Sequence, residues 1–155
     1  MKIAILLDTY PLSKVAHPRI EPIVQEWLLS MRKTGIVIRI PEIADYELRR
    51  ELLRTNKQRS LERLDSLTKT GLIPLNTETM QLAAQLWALV RNEGKPTASP
   101  DSLDGDVILA SQATLQLTNF DEVRILTKNV KHISRFEKPG LFVVDWEQTL
   151  NNIVS

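Results

Sequence analysis

Residues 1–8 read MKIAILLD, and this opening segment guides the interpretation of the rest of the chain. Residues 3–7 are apolar without interruption, which is typical of a strand buried on both faces of a parallel sheet. A short buried helix is disfavoured because the run is brief and Pro11 follows it closely. Asp8 therefore stands at the carboxyl end of a strand, where open parallel sheets bind ligands. For a lone acid there, a turn cap or helix cap is the more common role, so the interpretation of Asp8 depends on acids elsewhere in the chain.

Length and composition favour one globular α/β domain over residues 1–155. The chain has 155 residues, of which 43% are hydrophobic and 25% charged, enough for a single core and too few for two domains of ordinary size. It has no cysteine, which excludes disulfides, thiol catalysis and thiolate metal sites and is compatible with a cytoplasmic protein. We expect no membrane segment and no signal peptide, since no run approaches ~20 apolar residues.

Hydrophobic periodicity predicts alternating strands and helices downstream of Asp8. The predicted strands are 36–38, 72–75, 123–126 and 141–144, and the predicted helices are 20–31, 43–54, 60–70, 77–90, 107–117 and 146–154. Residues 9–18 and 92–100 are predicted loops, and Trp27, Met80 and Trp87 are predicted core residues. This alternation indicates a mainly parallel central sheet of about four to five strands flanked by helices.

Further acids and an amide occur where such a sheet could gather them. Glu47 lies on the helix 43–54, and Asp101, Asp104 and Asp106 precede the buried helix 107–117. Asn129 comes just after the strand 123–126. Helix amino termini favour acids, which explains one or two of Asp101, Asp104 and Asp106, with Asp101 as the plain cap, but not a third acid on a mostly buried helix. Carboxylates gathered at one sheet edge repel unless some are protonated or a divalent cation neutralises them. Oxygen ligands without cysteine or paired histidine suit Mg²⁺ or Mn²⁺, the ions of many phosphoryl-transfer sites.

Four segments, in this order, resemble PIN-domain proteins of the VapC toxin type. They are Asp8-Thr9 after the first strand, Glu47 in ADYELRRELL, Asp106 in DVILASQA, and Thr127 with Asn129 in ILTKNVKHI. The resemblance implies a Mg²⁺- or Mn²⁺-dependent endoribonuclease, the toxin of a type II toxin–antitoxin pair. Its implied site has three parts: catalytic Asp8, Glu47 and Asp106; metal ligands Asp8, Asp104 and Asp106; and weaker substrate contacts at Thr127 and Asn129.

The resemblance also implies an RNA substrate, a small antitoxin partner and a homodimer. The sequence departs from the family pattern where Tyr10 replaces the usual Asn or Ser, and the fourth acidic position falls near Asn129 or His132. These departures keep open an alternative, a catalytically weak PIN-fold module that binds RNA or protein. Residues 49–63 carry six Lys/Arg against two acids, which is either a solvated face or a contact for a phosphate backbone.

Overall fold

The computed structural model describes residues 1–94 and 100–154, without the side chains of residues 100, 101 and 154. The strands are β1 (Ile3–Leu7), β2 (Val37–Pro41), β3 (Leu72–Ile73), β4 (Glu122–Thr127) and β5 (Leu141–Asp145). The helices are α1 (Thr9–Val15), α2 (Pro22–Lys33), α3 (Glu42–Arg54), α4 (Gln58–Gly71), α5 (Thr77–Asn92), α6 (Pro100–Leu115), α7 (Val130–Ile133) and α8 (Trp146–Val154). Most of the predicted loop 92–100 lies outside the described residues, as does the side chain of Asp101.

The five strands form one parallel sheet in the order β3-β2-β1-β4-β5. This confirms the predicted mainly parallel sheet flanked by helices. Because β1 is central, the chain extends the sheet first on one side, through β2 and β3, and later on the other, through β4 and β5. The carboxyl ends of β1 and β4 therefore border the point where the strand order reverses, which is where open α/β sheets bind ligands.

Both faces of β1 are buried, as its uninterrupted apolar run predicted. Ile5 and Leu7 belong to one core layer, which also contains Trp27 and Trp146 in edge-to-face contact with ring centroids 5.3 Å apart. Ala4 and Leu6 belong to the opposite layer, which the buried face of α6 covers. Across the described residues, no helix is long and apolar enough to cross a membrane.

The prediction of a loop at residues 9–18 is wrong in its first part, because α1 occupies Thr9–Val15. The Asp8 carboxylate accepts a hydrogen bond from the Thr9 N–H and caps the helix. Pro11 falls in the first turn, where its missing N–H removes no intrahelical bond and its fixed φ is compatible with a helix. Leu12 and Val15 then bury the helix against the sheet.

The prediction that Met80 and Trp87 are core residues is also wrong, since they are 45% and 37% exposed. The face of α5 that is buried carries Thr79, Ala83 and Val90 instead. Met80 and Trp87 lie beside that face and line an open apolar groove between α5 and α6. Their helical spacing identified an apolar stripe correctly, but among the described residues no element covers the whole of that stripe.

Candidate active site

Asp8 and Thr127 meet at the reversal point of the sheet. The register pairs Leu7 of β1 with Leu126 of β4, and the Asp8 N–H donates to the Leu126 carbonyl at 3.0 Å. The next residue on each strand is therefore adjacent to its counterpart, and the Thr127 hydroxyl donates to Asp8 Oδ2 at 2.7 Å. The same hydroxyl accepts from the Asn129 N–H at 2.9 Å. Thr127 is fully buried, so it serves here as a fixed support for the Asp8 carboxylate.

Asp8 is a helix cap and a site residue at once. Its Oδ1 accepts from the Thr9 N–H at 2.8 Å while its Oδ2 accepts from Thr127. The two oxygens are thus fixed by donors from α1 and from the end of β4. The capping interpretation that a lone acid invites is correct, but it does not compete with a role in a ligand site.

Glu47 reaches the same place from α3. The Thr9 hydroxyl donates to Glu47 Oε1 at 2.8 Å, so one threonine contacts Asp8 through its backbone and Glu47 through its side chain. On the other side, a Cβ added to Gly105 of α6 would lie 3.1 Å from Glu47 Oε2. The Glu47 carboxylate is therefore held between the start of α1 and the backbone of α6.

A buried glutamine fixes α3 relative to α6 and β3. Gln112 of α6 is fully buried, its Oε1 accepts from the Ile43 N–H of α3 at 3.2 Å, and its Nε2 donates to the Ile73 carbonyl at 2.7 Å. Each of these backbone groups would be costly to leave unpaired in the interior. Gln112 therefore sets the separation of the helices that carry Glu47 and Asp106.

These elements enclose a cavity of about 490 Å³ that Asp8, Glu47 and Asp106 line together. Asn129 lines it as well. Asp104 does not: it lines the apolar groove between α5 and α6 with Met80 and Trp87. Residues two positions apart on an α-helix point about 200° apart, so Asp104 and Asp106 face different surroundings. The structure thus brings together the predicted catalytic acids and separates Asp104 from them.

Burial is the largest cause that raises the pKa of each of the three acids, and neighbouring carboxylate charges add to the rise for Glu47 and Asp106. Burial raises the pKa of Asp8, and its hydrogen bonds from Thr127 and Thr9 offset part of that rise. Burial and the charge of Asp8 raise the pKa of Glu47. Burial, followed by the charges of Asp8 and Glu47, raises the pKa of Asp106 to about 6, with Arg135 acting in the opposite sense. Such a group of carboxylates in one cavity favours a bound cation or bound protons.

The side chains around the cavity suit a hard cation. Those that line it from the described part of the chain offer carboxylate, hydroxyl and amide oxygens and include no imidazole. Arg50 and Lys128 also line it, as does Glu51, a fourth carboxylate that pairs with Arg54. Across the described residues, no three carboxylate or imidazole side chains form a ready-made metal cluster. A cation here would be held by one or two carboxylates and complete its shell with water, as Mg²⁺ commonly does.

Several residues that shape this cavity cannot be identified from the sequence alone. Thr9 is marked only by its place after Asp8 in a motif, and Gly105 belongs to no motif. A glycine inside a helix, next to acids, indicates a close approach of another group, which is the role of Gly105 here. Arg50 and Lys128, which also line the cavity, gave no signal that distinguished them from other surface cations.

Comparisons with known proteins support the fold. No protein-family model matches this sequence, and no curated protein sequence matches it significantly. A chain of VapBC2 from Rickettsia felis bound to a DNA fragment from their promoter is similar, with a TM-score of 0.69, 18% identity and coverage of 92% of this chain and 98% of that chain.

Two further solved structures are similar over a comparable extent. For FitAcB from Neisseria gonorrhoeae the TM-score is 0.62 at 21% identity, covering 89% of this chain and 96% of that chain. For VapBC-1 from nontypeable Haemophilus influenzae it is 0.61 at 19% identity, covering 94% and 98%. At these identities the likeness establishes the fold alone. The chain therefore has the PIN-like fold of VapC-type proteins, as its four motif segments predicted.

Proposed function

We propose that this protein is a divalent-metal-dependent endoribonuclease. The observation that carries the proposal is the convergence of Asp8, Glu47 and Asp106, from three different elements, on one cavity at the reversal point of the sheet. Carboxylates that repel one another at this point favour a bound cation, and that cation can in turn hold a phosphate. The four motif segments, and the likeness of the fold to chains of VapBC and FitAB complexes, support the same assignment.

In this proposal Asp8 and Asp106 hold Mg²⁺ or Mn²⁺, and Asp104 is left out because it faces the other groove. When bound, the ion would stabilise charge on the phosphate and lower the pKa of a water. Glu47, fixed by the Thr9 hydroxyl, orients the attacking water and accepts its proton. The water oxygen bonds to phosphorus, the P–O3′ bond breaks, and the 3′ oxygen takes up a proton. The products are a 5′-phosphate and a 3′-hydroxyl.

The predicted contacts at Thr127 and Asn129 have different roles in this proposal. Asn129 lines the cavity and is exposed, so its side chain is available to the RNA. Thr127 is buried and its hydroxyl is committed to Asp8 and to the Asn129 N–H. Thr127 acts as a positioning residue for the Asp8 carboxylate.

The proposal includes a partner, a small antitoxin protein. It also places the protein in the cytoplasm, where RNA is present. The similar structures are described as VapBC and FitAB complexes. The cognate partner would lay a flexible segment across the cavity and offer Arg or Lys to its carboxylates. If a saturating amount of the protein encoded beside this one left Mn²⁺ affinity and RNA cleavage unchanged, this mode of inhibition would be excluded.

We further propose a homodimer that uses helices from the first half of the chain. Tyr46 and Leu53 of α3 are 54% and 61% exposed and stand two turns apart on that helix. Two large apolar side chains on one helix face are suited to a contact with a second copy. Light scattering at high micromolar concentration tests this, and a monomeric mass would contradict it.

Cleavage of a labelled RNA, with Mn²⁺ and with EDTA, tests the nuclease. We expect cleavage only with the metal, a loss of at least about 100-fold in Asp8→Asn and Asp106→Asn, and near wild-type rates in the matched control Asp104→Asn. RNA binding without cleavage by the wild type would favour the alternative, a catalytically weak binding module. Equal losses in Asp104→Asn and Asp106→Asn would contradict the assignment of the site.

A further inference from the structure

A second cavity adjoins the acidic one and has the opposite charge. It has a volume of about 460 Å³ and shares Tyr10, Ser13 and Leu48 with the acidic cavity as lining residues. Its remaining polar lining is mostly basic, and no carboxylate is among its described lining residues. The cations are Lys14, Arg19 and Lys57, and His17 adds an imidazole.

These basic groups are available to an anion. Among the described residues, the one ion pair involving them is the exposed pair of Lys14 with Glu21 at 3.3 Å, and such pairs are weak. The Arg19 N–H donates to His17 Nδ1 at 3.0 Å. In neutral His17 the proton must then reside on Nε2, so the ring presents a hydrogen-bond donor at its outer edge.

Tyr10 separates the two cavities and holds a cation at the edge of each. Lys128 Nζ lies 4.2 Å from the centre of the Tyr10 ring and Lys14 Nζ lies 5.4 Å from it, both within range of a cation–π interaction. Lys128 lines the acidic cavity and Lys14 lines the basic one. Tyr10, where the sequence departs from the family pattern, therefore holds one ammonium group on each side of the boundary between the two cavities.

We propose that a single strand of RNA crosses Tyr10 from the acidic cavity into the basic one. Lys128 binds a phosphate at the edge of the acidic cavity, and Lys14, His17, Arg19 and Lys57 bind the phosphates of the following nucleotides. This proposal rests on the proposed nuclease function and names the path of its substrate.

Two physical arguments support this path. The carboxylates of the acidic cavity repel phosphate, so affinity for RNA has to come from cations placed beside them. Tyr10 lines both cavities, and an aromatic ring can stack only on an unpaired base, because a paired base is stacked within its helix. Single-stranded sites commonly combine a basic groove with an aromatic side chain in the same way.

Fluorescence anisotropy of a short labelled oligoribonucleotide in EDTA tests the path without cleavage. The double variant Arg19→Gln/Lys57→Gln should bind at least about fivefold more weakly, and the slope of log affinity against log salt should shrink by about 0.7 for each lost phosphate contact. The matched control Lys33→Gln/Arg91→Gln removes the same charge from exposed positions outside both cavities and should bind like the wild type. An equal loss in the control would overturn the proposal.

Variants of Tyr10 and Lys128 test the aromatic boundary. Tyr10→Leu should weaken binding several-fold and Tyr10→Phe should not, because phenylalanine keeps the ring face. Tyr10 also packs against the core, so Lys128→Gln, which changes only an exposed side chain, should reproduce the loss in a fully folded protein. Unchanged affinity in Lys128→Gln, or equally tight binding of the same sequence as a duplex, would overturn the proposal.

The proposed RNA path and the proposed nuclease function can fail independently of each other. If Mn²⁺-dependent cleavage requires Asp106 but neither the affinity in EDTA nor KM responds to the basic-cavity variants, the path is wrong and the nuclease stands. If no cleavage occurs but the variants weaken binding as expected, the nuclease is wrong and the path stands as an RNA-binding surface.

Discussion

The carboxylate of Glu47 lies so close to the backbone of Gly105 that a Cβ at position 105 would come within 3.1 Å of Glu47 Oε2. Gly105 immediately precedes Asp106, so this contact sets the approach of two of the three clustered acids. It depends on α3 and α6 being held together, which the hydrogen bonds of Gln112 achieve. The acidic cavity is therefore a property of how two helices pack and not of one motif.

Gly105→Ala should separate stability from activity. Alanine is favoured over glycine inside a helix by about 1 kcal/mol, and the flexible end of Glu47 can move a few tenths of an ångström to admit the methyl group. We expect the free energy of unfolding to stay level or rise, while Mn²⁺-dependent RNA cleavage falls about tenfold because the Glu47 carboxylate is displaced. Urea unfolding and a cleavage assay measure the two effects.

Gly71→Ala is the matched control. Gly71 lies on α4, away from Glu47, and a Cβ added there would meet nothing closer than 3.6 Å. It should leave cleavage unchanged. Full cleavage by Gly105→Ala would show that the position of Glu47 is not critical.

Asp106→Asn should stabilise the metal-free protein at neutral pH. The folded-state pKa of Asp106 is about 6 against an ordinary 3.8, so the folded state binds this proton more tightly than the unfolded chain does. Stability is then lost as the pH rises from 3.8 towards about 6. Because Asp106 is only partly buried, solvent screening reduces this loss to about 1–2 kcal/mol at pH 7. The amide cannot ionise and avoids this loss.

Urea unfolding in EDTA at a series of pH values measures the effect. The advantage of Asp106→Asn should be largest above pH 6 and should vanish below the ordinary aspartate pKa. An advantage that is the same at every pH would mean that it comes from packing instead of charge.

Thr127→Val should weaken the support of Asp8. The substitution removes the hydroxyl that donates to Asp8 Oδ2 and accepts from the Asn129 N–H, at a cost of about 1–3 kcal/mol of stability. Without that donor the pKa of Asp8 should rise further, so Mn²⁺ affinity should fall more at pH 6 than at pH 8. Thr127→Ser keeps the hydroxyl and should keep the affinity; equal losses in the serine and valine variants would contradict this role.

Gln112→Met should be strongly destabilising for a change of similar volume. It leaves the Ile43 N–H and the Ile73 carbonyl buried without their partner, at about 1–3 kcal/mol each. Cleavage should fall in the molecules that remain folded, because α3 and α6 lose their spacer. Gln148→Met, at an exposed position of α8, should change the free energy of unfolding by no more than about 0.5 kcal/mol. Similar stability of the two variants in urea would refute this account of Gln112.

The features that the sequence predicted well are those in which one physical cause dominates. The run at residues 3–7 had to be a strand buried on both faces, and Ile5 and Leu6 do enter opposite core layers. The start of α1 was missed because two effects coincide there. Pro11 suggested a loop, while Asp8 as a cap and proline tolerance in the first turn produce a helix.

The wrong predictions concern which residues of a helix are buried and which of them face the site. Trp27 and Trp87 each follow apolar residues three, four and seven positions earlier, yet Trp27 is buried against Trp146 and Trp87 lines an open groove. Spacing identifies a face, whereas burial depends on what packs against it. Asp104 and Asp106 were both offered as ligands because a cluster of acids does not reveal the rotation of the helix that carries it.

Isothermal titration of Mn²⁺ into the wild type, Asp106→Asn and Asp104→Asn tests the central claim most directly. The two acids lie two residues apart on α6, carry the same charge and face different cavities. The account predicts that Asp104→Asn binds Mn²⁺ like the wild type and that Asp106→Asn binds at least about tenfold more weakly. Unchanged binding by Asp106→Asn, or an equal loss in Asp104→Asn, would show that the metal is not held by Asp8 and Asp106 in the acidic cavity.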